Sequence, residues 1–231
     1  MALDSTSAPY PDKPFSPACE RNRGPILDVL RTYFADRRHV LEIGSGTGQH
    51  AVYFAAAMPW LRWQCADASG YLPGIRLWLD EAGLPNTPAP VALQAVAARA
   101  GELGGLRPAP PLPEQPGGDR GFDAVYSANT LHIMGWEEVL ALFAGLPAVL
   151  TADAVIAVYG PFNRDGAYTS DSNREFDVAL RARDPRSGLR DEAAVQALAA
   201  GIGLAPVAAV AMPANNRLLV WRRTPGRAVG G

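Results

Sequence analysis

A handful of side chains in this sequence combine a useful chemical group with a telling position. Glu42 lies in H-V-L-E-I-G-S-G-T-G-Q-H, His39–His50, just ahead of Gly44, Ser45, Gly46, Gly48 and Gln49. Glycines at alternate positions let a turn adopt left-handed angles and bring the main chain close to a ligand. Asp67 follows at about the 20-residue distance where a nucleoside-binding unit places an acid on the ribose hydroxyls. It also fits an N-cap for the helix that begins near Gly70. His132, in A-N-T-L-H-I, has an ordinary pKa near neutrality and is the candidate base for an acceptor that must lose a proton. A lone histidine serves equally well as a hydrogen-bonded packing residue. Asn129, in the same segment, is a candidate lining residue. Tyr159 opens Y-G-P-F-N-R-D-G-A-Y and is the second catalytic candidate. Phe162, Asn163 and Tyr168 in that stretch suit a small polar or aromatic acceptor, or make a surface loop with a packed Phe. Near the start, Cys19, Glu20, Arg21, Asn22 and Arg23 form a dense polar cluster. Arg21 and Asn22 suit a carboxylate. The cluster reads either as a lid over the site or as a solvated segment and helix cap.

These residues need elements to hold them. Val40, Leu41 and Ile43 form a short apolar run typical of a buried strand, and Ala51, Val52, Phe54 and Ala55 begin a helical pattern. Strand, glycine turn and helix in that order place a helix N-terminus beside a ligand. A dinucleotide fingerprint needs G-x-G-x-x-G. Here the third glycine comes one residue early, and Gln49 takes the place of the last. No G-K-[ST] follows, which excludes a P-loop. Further strands are expected over 61–66, 91–96, 122–127, 154–159, 207–212 and 218–221. Helices are expected from Pro25 to Phe34 and over 48–58, 70–82, 136–150, 172–183 and 192–200. Residues 104–120, rich in Pro and Gly, read as a surface excursion. Pro213–Asn216 reads as a hairpin turn, making the last strand pair antiparallel. The expected architecture is α/β and Rossmann-like: a mostly parallel seven-stranded sheet, an antiparallel C-terminal hairpin, and helices on both faces. Asn129, His132 and Tyr159 then fall at the carboxyl edge where such sheets bind ligands.

The chain has 231 residues, 48% of them hydrophobic, and a net charge of -2. That suits one domain: a flexible segment over 1–14, a domain over 15–223 with a lid and helix at 15–36, and a flexible tail over 224–231. The charge balance gives no phosphate-tracking surface, so no nucleic acid is expected. Cys19 and Cys65 are too few for a disulfide framework and lack zinc-site spacing, so no metal is expected. A reduced, cytoplasmic protein follows. No apolar run reaches the length of a membrane span, and the N-terminus lacks the basic start and apolar core of a signal peptide.

E-x-G-x-G-x-G at Glu42–Gly48 resembles motif I of the class I S-adenosylmethionine (SAM)-dependent methyltransferases. The likeness extends through S-P-A-C-E-R-N-R (Ser16–Arg23), A-N-T-L-H-I (Ala128–Ile133), Y-G-P-F-N-R-D-G (Tyr159–Gly166), S-N-R-E-F-D (Ser172–Asp177), L-R-A-R-D-P (Leu180–Pro185) and M-P-A-N-N-R-L-L (Met212–Leu219). Together these resemble the methyltransferase-like protein 26 family and its bacterial relatives, from about Phe15 to Arg223. The resemblance implies the class I fold, SAM as cofactor and methyl transfer as activity. It implies that the glycine turn wraps the methionine part of SAM. Glu42, Gly44, Ser45, Gly46, Gly48, Gln49, Asp67, Asn129, Arg21 and Asn22 are then the cofactor candidates. Cys19, Glu20, Arg23, His132, Phe162, Asn163 and Tyr168 are the acceptor candidates. The family shows S-D where this chain has Ala66-Asp67, and keeps the acid. It shows L-D-V where this chain has Leu93-Gln94-Ala95-Val96, and there an acid is lost. Gln94, or a backbone group near Val96 or Ala97, is left to meet the adenine.

The expected partner is a small molecule accepting the methyl group on O, N or S; a homodimer stays open. Two alternatives remain: a non-catalytic SAM-binding or interaction module with this fold, and a methyltransferase acting on protein or RNA.

Overall fold

The computed structural model describes residues 13–99, 104–113 and 121–224. Most of the two terminal segments expected to be flexible lie outside that range. The chain runs α1 (Pro17–Tyr33), β1 (His39–Ile43), α2 (Gln49–Ala57), β2 (Arg62–Asp67), α3 (Leu72–Ala82), β3 (Val91–Val96) and β4 (Gly105–Ala109). It continues with β5 (Phe122–Ala128), α4 (Trp136–Gly145), β6 (Leu150–Asn163), α5 (Asp171–Arg183), β7 (Arg190–Asp191), α6 (Glu192–Gly201), β8 (Leu204–Met212) and β9 (Asn216–Arg223). The strands order as β4-β3-β2-β1-β5-β6-β9-β8, with β7 beside β6. β3, β2, β1, β5 and β6 are parallel; β9 and β8 add an antiparallel pair.

Strand periodicity divides the side chains between two cores. Val40 of β1, Trp63 and Cys65 of β2, Tyr126 of β5 and Tyr159 of β6 face one side, under Ile26, Leu30, Phe54 and Ile75 of α1–α3. Leu41, Val125, Ile156, Val158 and Trp221 face the other, under Val139 and Phe143 of α4 and Val195 of α6. Glu42 shares the parity of Val40, so the first core receives its carboxyl group. The order of β1, β2 and β5 brings the ends of these strands together at one edge, where the glycine turn leaves β1.

Four expectations change. β4 is a strand within the stretch read as an excursion, antiparallel to β3 and at the sheet edge. Its Pro108 is tolerated there because an edge strand need not donate every N–H. With β4 and the two-residue β7, the described sheet has nine strands rather than seven. α1 begins at Pro17 and carries Pro25 inside it, so Cys19–Arg23 belong to its first turns rather than to a segment before it. The start signal is Ser16 in extended conformation, Pro17 at the first helical position and Glu20 in the first turn. Finally, β6 continues through Asn163, so Phe162 and Asn163 are strand residues.

Candidate functional site

The glycine turn takes left-handed angles at Gly44 (φ 75°), Gly46 (φ 57°) and Gly48 (φ 90°). Its N–H groups are largely used within the protein. Gly44 N and Ser45 N donate to the Ala66 carbonyl (2.9 and 3.3 Å), and Gly48 N donates to the Ser45 carbonyl (2.9 Å). Gly46 N donates to Asp67 Oδ2 at 2.7 Å. A phosphate cradle aims such donors outward at an anion. This turn spends them inward, and one goes to a carboxylate.

Asp67 ends β2 facing the turn. Its Oδ1 accepts from Ala68 N at 2.7 Å; the helical turns that follow have Ala68 and Tyr71 at their N-caps with no side-chain cap bond, so the helix-cap alternative for Asp67 is not met. Burial raises its pKa, and the Gly46 and Ala68 N–H groups oppose that rise. Glu42 lies beneath the turn, 2% exposed. Its Oε2 accepts from Trp63 Nε1 at 3.0 Å and from the Cys65 thiol at 3.7 Å. Burial pushes its pKa up to about 7, against the hydrogen bonds of Trp63, Ser45 and Cys65. Two carboxyl groups thus flank the turn.

Beside them opens a cavity of about 520 Å³, between the ends of β2 and β3 and the first turn of α4. Gly44, Asp67, Gln94, Val96 and Ala97 line it, as does Leu93. Thr130, Glu137 and Arg186 line it too and were not singled out in the sequence. Gly44 is held to glycine by more than its φ, since a Cβ there would collide with the Thr130 side chain.

The first turns of α1 close over the other end of the glycine turn. Gln49, 1% exposed, is the joint. Its Oε1 accepts from Ser16 N (2.5 Å) and Thr47 Oγ1 (3.1 Å), and its Nε2 donates to Glu20 Oε1 (2.9 Å). Glu20 also pairs with Arg23 at 2.7 Å, and Arg23 stacks 4.6 Å over the Tyr53 ring. Glu20 and Arg23 are therefore engaged in docking α1. The Cys19 thiol is raised by burial, and Ser16 and Thr47 hydrogen-bond to it. Asn22 is buried; His50 Nε2 lies 2.7 Å from its Oδ1, and Tyr126 Oη lies 3.4 Å from His50 Nδ1. The Asn22 side chain also hydrogen-bonds Tyr159. Asn22 thus spends its amide inside the protein, which leaves Arg21 as the exposed member of the pair proposed for a carboxylate. Among the described residues, no hydrogen bond or ion pair engages Arg21.

At the end of β5, Asn129 adopts φ 56°, and its N–H donates to the Tyr159 carbonyl at 2.9 Å. His132 lies beyond it, 5% exposed, edge-on to Phe176 at 5.2 Å. Burial and the nearby Arg190 charge push its pKa down to about 4. That departs from the near-neutral value on which its candidacy as base rested, and leaves the ring neutral but weakly basic. The loop carrying it is pinned by Arg190 Nε to the Leu131 carbonyl (3.0 Å) and Ser187 Oγ to the Ile133 carbonyl (2.7 Å). Neither residue was marked in the sequence. Phe162, expected to bind the acceptor, is 3% exposed in the second core, because strand alternation turns it away from the α1 face. Tyr168 is turned outward and donates to Asp177 Oδ2 at 2.8 Å, so it clamps α5 rather than lining the cavity. Asn163 keeps a buried Oδ1 with no hydrogen-bond partner among the described residues.

Solved structures share this architecture. An O-methyltransferase family protein from Burkholderia thailandensis is 16% identical, with a TM-score of 0.69 over 91% of this chain and 58% of that one. Mitomycin 7-O-methyltransferase MmcR is 17% identical, with a TM-score of 0.70 over 90% of this chain and 54% of that one. PigF with SAH is 14% identical, with a TM-score of 0.67 over 86% and 55%. The chain spans little more than half the length of each. At such identities the likeness is one of fold: this is the Rossmann-like methyltransferase fold. Residues 13–223 match the family described as Protein of unknown function (DUF938), and the chain belongs to that family.

Proposed function

We propose that this chain is a SAM-dependent methyltransferase acting on a small-molecule acceptor, and that it is related to the methyltransferase-like protein 26 family. The observation that carries the reading is the polarity of the glycine turn. Its N–H groups are spent inward, and the carboxyl groups of Asp67 and Glu42 flank it. Such a site repels a pyrophosphate and suits a nucleoside with a cationic tail. SAM supplies a methyl group already activated on a sulfonium, with S-adenosylhomocysteine (SAH) as product.

The residues present fit that cofactor. Asp67, at the cavity wall, keeps lone pairs for the ribose hydroxyls. Gln94 lines the same cavity and offers an amide oxygen to an adenine amino group, where the family acid is missing. Arg21 is free to meet the carboxylate. Catalysis at a sulfonium asks mainly for in-line positioning and exclusion of water. α1, docked through Gln49, covers the turn against water.

Thermal unfolding with added ligands tests the reading. SAM and SAH at a hundredfold excess over Kd stabilise by about 2.7 kcal/mol, roughly 5–10 °C for a chain of this size. NAD gives no shift. Absence of any shift with SAM and SAH refutes the reading in favour of a module that has kept the fold without the cofactor.

A further inference from the structure

Among the described residues, no hydrogen bond or ion pair joins the Glu42 carboxyl group to a cation. Every group facing it can be named. Cys65 and Asp67 come from β2, Tyr126 from β5 and Cys19 from α1; His50 of α2 touches Tyr126. The direct donors are neutral: the Trp63 indole N–H and the Cys65 thiol. A buried carboxylate with only neutral partners is costly, and a protein avoids that cost by protonating the group or by bringing a cation to it. Glu42 is on the strand that feeds directly into the glycine turn, two residues before Gly44. A cationic ligand seated on that turn is the nearest source of charge.

We infer that Glu42 exchanges a proton for the cationic end of the cofactor, so that loading SAM releases one proton to solvent. The step balances: the Glu42 carboxylic acid becomes a carboxylate, its proton passes to buffer, and the bound cation neutralises the new charge. No bond in the cofactor changes. The inference rests on the proposed cofactor and adds a coupling to it: affinity for SAM falls as the solution is acidified. The near-neutral pKa of the unliganded group agrees with this exchange. His50, held near 4 by burial and the Arg23 charge, stays neutral through the relevant range.

Titration calorimetry of the full chain in two buffers of different ionisation enthalpy measures the exchange. Near pH 6 the SAM α-amino group, with an ordinary value of about 7.7–8.0, is already charged. About 0.9 proton is then expected to leave per SAM bound, and near pH 8.5, where Glu42 is already ionised and the free SAM amino group largely neutral, release gives way to uptake. Adenosine, which lacks both cationic centres, releases none. Glu42→Gln binds SAM more weakly at neutral pH, having lost the counter-charge, and releases no proton. SAM binding with no proton release by the wild type overturns the inference while sparing the cofactor assignment, as does equal release by Glu42→Gln. Failure of SAM to bind at all overturns both. Should the variant not fold, the wild type alone decides: log Kd falls with pH at a slope near one below about pH 7, and rises again above about pH 8 as the SAM amino group loses its charge. A flat profile refutes the exchange.

Discussion

Replacing Glu42 with Gln should stabilise the unliganded protein at alkaline pH and cost it about 1 kcal/mol in acid. The carboxyl group is wholly buried, and its pKa rises from an ordinary 4.5 to about 7 in the folded chain. Below pH 4.5 both folded and unfolded states hold the proton, and the group is neutral in stability. Between 4.5 and 7 the unfolded state gives up its proton first, so stability falls as pH rises. Above 7 the full difference of some 2.5 pKa units applies, a cost of about 3 kcal/mol. Glutamine carries no charge and can still accept the Trp63 N–H through its amide oxygen. Its second N–H must find a partner, which subtracts about 1 kcal/mol at every pH. The informative quantity is therefore the variant-minus-wild-type difference against pH. Urea unfolding from pH 4.5 to 8.5 should show that difference rising by about 3 kcal/mol. Titrations at His50 and His132 cancel in the subtraction. A difference flat with pH would mean that Glu42 is not a buried acid without a cation, and the account of the site beneath the glycine turn would fail.

His132 and Gly48 test neighbouring parts of the structure. His132 has a folded pKa of about 4 against an ordinary 6.5. The stability it contributes is fully present above 6.5 and lost as pH falls through 4. His132→Phe should make the acid limb of the stability profile shallower, by about 3 kcal/mol when the loss is complete; an unchanged limb would place the ring in solvent. Gly48 has φ 90°, and a Cβ there would sit 3.3 Å from the Ile75 backbone. Gly48→Ala should cost about 1–3 kcal/mol in urea unfolding; no loss would mean that the turn is not left-handed there.

The parts of the fold that were legible share a physical feature. β1 and the glycine turn were visible because an apolar run meets glycines whose angles other residues avoid. The β8–β9 hairpin was visible because Ala214 and Asn215 occupy a left-handed turn, at φ 57° each, between two apolar runs. β4 was hidden because Gly105-Leu106-Arg107-Pro108-Ala109 has neither alternation nor strand-forming residues. It is a strand because β3 offers it an edge and Leu106 packs against the second core. The two added turns of α1 were hidden behind Pro25, which suggested a start rather than an interior residue. In the site, Gly44 and Asp67 could be placed because strand ends converge at one edge. Asn22 could not, because its role depends on His50 and Tyr159, far away in sequence. Phe162 was misplaced because β6 runs four residues past Tyr159, and alternation carries it to the opposite face.

The central claim is that Asp67 and the turn around it hold the nucleoside of SAM. Calorimetric titration of SAH into the wild type, Asp67→Asn and Asp67→Ala tests it most directly. Hydrogen bonds to a charged acceptor contribute about 1.5–3 kcal/mol, so Asp67→Ala should weaken SAH roughly tenfold to a hundredfold. Asp67→Asn retains one acceptor oxygen for the Gly46 N–H and should fall between the two. Equal affinity for SAH in all three folded proteins, or no binding by the wild type, would contradict the account.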